Sequence, residues 1–151
     1  DPVITLLQRS GDLKIVSDTR IVSEAEKVFG GPMPAACLYA PEPFVRANPA
    51  TVQALTNAIV RADRWIHSAG PGDVIKVVPE SYLLGDRAIY IDGFLAAQKA
   101  LSPDGMFPTA GAQTAYRALA SVDPKIAAAK LDLDAVYTNE FVKKAHARKR
   151  G

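Results

Sequence analysis

Cysteine is almost missing from this chain. Cys37 is the only one in 151 residues, so no disulfide can form within it, and its setting in the apolar run AACLYA reads as that of a small buried hydrophobe rather than a nucleophile. The lack of disulfides does not fix a compartment, because many exported proteins have none. Histidine is scarce too. His67 falls near the end of a helical stretch and His146 lies in a basic tail, and neither has a carboxylate, cysteine or second histidine at metal-ligand spacing. His67 reads as a complement to the negative end of a helix dipole. The serines lack a nucleophile-elbow pattern, and Gly30-Gly31 precedes an expected strand rather than a helix, which argues against a phosphate cradle. No run approaches the roughly 20 apolar residues of a membrane helix, and no charged-then-apolar signal segment opens the chain. The formal net charge of +2 is too small for a nucleic-acid surface, and much of the excess sits in the final HARKR, which reads as a solvated end. These absences leave no positive sign of catalysis, a metal, a cofactor or a nucleic-acid partner.

What is present is ordinary globular material. At 48% hydrophobic and 23% charged residues, the chain is long enough for one cored domain. Asp1-Pro2 reads as a capped helix start leading into VITLLQ and ending near Gly11, so the chain is expected to be cut from something longer or processed. LKIVSDTR, with Leu13, Ile15 and Val16 among polar residues, suits a strand with Asp18-Thr19-Arg20 at its end. SEAEKVF reads as a short helical turn or loop, and AACLYA as a second strand, apolar throughout and therefore covered on both faces. Asn48 and Pro49 then open a long helix over residues 48–68, whose stripe of Val52, Leu55, Ile59, Ala62 and Ile66 recurs at three and four residues. Further helices are expected over residues 72–78 and 86–101, with Ile91, Phe94 and Leu95 inward. Beyond the Ser102-Pro103-Asp104-Gly105 turn, Ala112, Ala115, Tyr116 and Leu119 mark another helix; Asp123-Pro124 starts a short one, and Thr138 caps the last. Asp63, Asp86 and Asp92 read as solvated charge pairs with nearby arginines, and Trp65 and Tyr90 as core.

This inventory is short of strands. Two short strands do not make an independently stable sheet. Another chain region supplies the remaining strands, or copies associate to complete the sheet, or the sheet is vestigial in a mainly helical domain.

The order of these pieces resembles the C-terminal part of the substrate-binding proteins of nitrate/sulfonate/taurine-type ABC importers, a family that includes the thiamine-precursor-binding proteins. The DP-led helix, KIVSDTR, VFGGPMP before AACLYA, PFVRANPATVQALTNAIVRADRWI, PESYLLGDRAIYIDGF, LSPDGMFPTAGAQTA and YTNEFVKKA carry the resemblance. It implies a helix-rich α/β chain, part of a type II periplasmic-binding-protein fold whose members are roughly twice this length. It divides the chain into a strand-containing part (1–47), covering helices (48–147) and a basic tail (148–151). It also implies a non-enzymatic function without cofactor or metal: capture of a small anionic or heteroaromatic solute between two lobes, delivery to a membrane permease, and a periplasmic or extracytoplasmic, membrane-associated location. The candidate ligand contacts are Asp1 and Pro2 near the crossover, Asp18 and Arg20 after the first strand, and Gly31 and Met33 in the turn. Arg20 either pairs with an anionic solute through its planar fork or is satisfied by Asp18. The alternatives are part of a thiamine-pyrimidine-synthase-like enzyme of similar fold, and a helical interaction domain.

Overall fold

The structure, a computed structural model, describes residues 3–11, 13–83 and 86–147. The expected α/β architecture is not what it shows. Among the described residues there are nine α-helices, one short 3₁₀ turn (Glu80–Tyr82) and no β-strand. The helices are α1 (Val3–Ser10), α2 (Val22–Phe29), α3 (Glu42–Ala47), α4 (Pro49–Ser68), α5 (Pro71–Val77), α6 (Arg87–Gln98), α7 (Gly111–Ala120), α8 (Pro124–Ala128) and α9 (Glu140–Ala147).

The two expected strands fail for one physical reason. Neither residues 13–17 nor residues 32–40 make a backbone–backbone hydrogen bond to another described segment, and a strand exists only as a member of a ladder. AACLYA is also uncovered rather than enclosed. Leu38 is 48% and Tyr39 87% exposed, Val16 of the other segment is 96% exposed, and Cys37 lies at the surface. The part expected to hold strands is therefore helical or irregular among its described residues, with α1 to α3 as its regular elements.

The helices follow local chemistry. Proline in the first turn, where its missing N–H is no loss, opens α3, α4, α5 and α8. Asp86 caps α6 by accepting from the Ile89 N–H at 3.0 Å, and Thr138 Oγ1 accepts from the Glu140 N–H at 3.2 Å before α9. The α3 helix, unanticipated in the sequence, also carries a Glu42–Arg46 ion pair across one turn.

Among the described residues the buried hydrophobics all lie from Val52 onward. The long α4 lies against α9. Val60 meets Val142 and Ala145 of α9, and Gln53 Nε2 donates to the Phe141 carbonyl at 2.8 Å; of the expected stripe Val52 is buried, whereas Leu55 and Ile59 are exposed. Val60, Val142 and Ala145 form one small core with Met106 against it. Ala69, Val74 and Ile91 form a second, joined by Ile75, Val78, Tyr90 and Phe94. Residues 106–107 are clipped to the start of α9, because Asn139 accepts from the Phe107 N–H and donates to the Phe107 carbonyl, each at 2.9 Å. Phe107 also stacks on Tyr137 at 4.7 Å between ring centres.

Candidate functional site

Two pairs of residues singled out from the sequence occupy opposite ends of α2. Asp18 and Arg20 stand together before its first turn. Arg20 Nε and Nη2 donate to the two Asp18 oxygens at 2.8 and 2.7 Å, and the Arg20 backbone N–H donates to Oδ1 at 3.0 Å. Arg20 Nη2 also donates to Gln8 Oε1 at 3.0 Å, which ties this corner to α1. The pair is half-buried. The Arg20 guanidinium holds the Asp18 carboxyl below the usual carboxylate range, against the opposing pull of burial. Arg20 is in turn raised above its ordinary value by the Asp18 hydrogen bonds.

Beside this corner lies a shallow, solvent-open depression of about 450 Å³, lined by Arg20, Ile21, Val22, Ser23, Glu26, Ala96 and Lys99. Its wall combines two cations, one carboxylate, a hydroxyl and aliphatic side chains. Such a wall can hold the polar end of a small solute while its aliphatic groups meet the rest.

Gly31 and Met33 lie past the C-terminus of α2, about 12 Å away along an eight-residue helix. Gly30 ends the helix in the left-handed conformation with φ 74°, and the Gly30 and Gly31 N–H groups both donate to the Glu26 carbonyl, at 2.8 and 3.0 Å. The turn is then pressed onto α7. A Cβ on Gly31 would lie 2.7 Å from Thr114 Oγ1, Arg117 Nη2 donates to the Gly30 carbonyl at 3.0 Å, and Pro34 rests on Gly111. Met33 is half-buried. Asp18 and Arg20 are thus brought together, Gly31 and Met33 form a separate corner, and Asp1 and Pro2 lie outside the described residues.

Gln8, Thr114 and Arg117 were not anticipated. They act across separations of 12 residues for Gln8 and 87 for Arg117, and nothing in their local sequence marks them. Among the described residues no group of three or more His, Cys, Asp or Glu side chains is placed to hold a metal ion. No described helix is long and apolar enough to cross a membrane. His67 and His146 both face the 102–105 turn, through the Ser102 and Asp104 carbonyls at 3.2 and 2.8 Å. Nearby Asp63 is pushed above the usual carboxylate range, first by burial and further by Asp104, with His67 pulling the other way.

A solved structure from Bordetella bronchiseptica RB50 matches the whole of this backbone. It is 50% identical in sequence, superposes with a TM-score of 0.94 over 100% of this chain, and 48% of its own length is covered. The chain therefore spans about half the length of that protein. No family model and no curated protein matches.

Proposed function

We propose that this chain forms one wall of a solute-binding protein of an ABC importer, capturing a small anionic or heteroaromatic molecule for a membrane permease outside the cytoplasm. The observation that carries the reading is the Arg20 corner. There the Arg20 fork, already taken by Asp18 and Gln8, stands with Ser23 and Lys99 around an open depression of about 450 Å³. Lys99 is the cation on that wall that an oxyanion would meet. The order of motifs resembling the nitrate/sulfonate/taurine binding proteins adds to this, as does a match to a protein about twice as long.

The test is a thermal-shift panel of taurine, nitrate, bicarbonate, a pyrimidine and an aromatic carboxylate, applied to this chain and to the Bordetella protein. At least one solute is expected to raise the melting temperature of the longer protein, by the mass-action relation between occupancy and stability. If none of them moves either protein, the solute-binding reading fails. A helical interaction domain is the second reading, favoured by the apolar residues uncovered in α1 and in the extended segments. It predicts association with polypeptide and no response to the panel.

A further inference from the structure

The first third of the chain is built to be covered. The molecule exposes 10569 Å², whereas a compact monomer of 16.1 kDa exposes about 7,400 Å². The excess, on the order of 3,000 Å², is the scale of a permanent interface rather than a passing encounter. Exposed large hydrophobics are densest before Val52, with others such as Leu55, Ile59 and Val122 beyond it. No described hydrophobic before Val52 is buried, while Leu6, Leu7, Ile15, Val16, Leu38 and Tyr39 are all open to solvent.

Backbone chemistry points to the same place. Residues 13–17 and 35–40 run without a backbone–backbone partner among the described residues. A row of free N–H and C=O groups beside apolar side chains is the template that an added extended segment pairs with. The Bordetella protein carries this same backbone within a chain about twice as long.

We infer that residues 13–17 and 35–40, with the exposed apolar face of α1, dock a polypeptide equivalent to the half of the Bordetella protein that this chain does not match. The docked segment pairs along the two extended backbones and covers Val16, Leu38 and Tyr39. A second copy of this chain is the competing occupant. The unmatched portion is favoured because this backbone accounts for only 48% of the Bordetella protein, which leaves a segment of similar length to serve as the cover. This surface is independent of any solute, so its test is run without one.

The experiment co-expresses the 151-residue chain with the unmatched portion of the Bordetella protein, tagged, and sizes the purified product by analytical ultracentrifugation. A 1:1 complex is expected. The Val16→Lys/Leu38→Lys double variant, both positions solvent-exposed, is expected to weaken the complex at least tenfold while leaving the circular dichroism and melting of the lone chain unchanged. Failure to co-purify, a homodimer of this chain in place of the mixed complex, or a complex indifferent to the two lysines would each overturn the inference.

Discussion

Replacing Gly31 by alanine tests how the turn after α2 is held. The new Cβ would stand 2.7 Å from Thr114 Oγ1, well inside van der Waals contact. Thr114 cannot step aside, because it is 0% exposed and its hydroxyl already donates to the Ala110 carbonyl at 3.0 Å. Overpacking of this kind costs about 1–3 kcal/mol. The backbone adds to it, since Gly31 has φ 156°, a value that L side chains rarely adopt; strain there is worth about 1–3 kcal/mol. Gly31→Ala is therefore expected to destabilise the chain by roughly 3 kcal/mol, a fall in melting temperature of about 6–12 °C for a domain of this size. Chemical denaturation measures it directly. Thr114→Ala in the same molecule removes the clashing oxygen and should restore the steric part, giving a favourable coupling in a double-mutant cycle. A Gly31→Ala variant within about 0.5 kcal/mol of the parent, the range of neutral surface changes, or a cycle with no coupling would refute the packing described for this turn.

Asn139→Ala removes both hydrogen bonds to Phe107 and should cost about 2 kcal/mol, read as a lower denaturant midpoint with unchanged slope. Asp18 and Asp63 should act in opposite directions with pH. The lowered Asp18 carboxyl contributes stability that is present above the ordinary carboxylate range and lost as pH falls through its folded value, so Asp18→Asn should flatten the acid limb of the stability curve. The raised Asp63 carboxyl contributes stability that is present at low pH and lost as pH rises through its folded value, so Asp63→Asn should raise stability at neutral pH. Urea midpoints across pH check both.

The helices were largely legible and the strands were not, for reasons visible in single residues. Pro49 and the apolar recurrence located α4, and Thr138 located α9, because caps and periodicity are local. Which face of α4 turns inward was not local. It depends on Val60 meeting Val142 and Ala145 of α9, while Leu55 and Ile59 stay outside. Ile15, Val16 and the run AACLYA have strand composition, but composition does not supply a ladder, and no described segment offers one. At the site, the two-residue spacing of Asp18 and Arg20 made their pairing a stated alternative. Gln8 and Arg117 reach their partners through the fold alone.

The proposed interface requires the extended segments to be unpaired in the isolated chain while the helices from α4 onward are firmly folded. Amide hydrogen exchange on this chain alone measures that difference. Amides of residues 13–17 and 35–40 are expected to exchange at rates near those of an unstructured peptide, with the central amides of α4 and those of α9 protected by several orders of magnitude. Protection of residues 35–40 comparable to that of α4 would contradict the account.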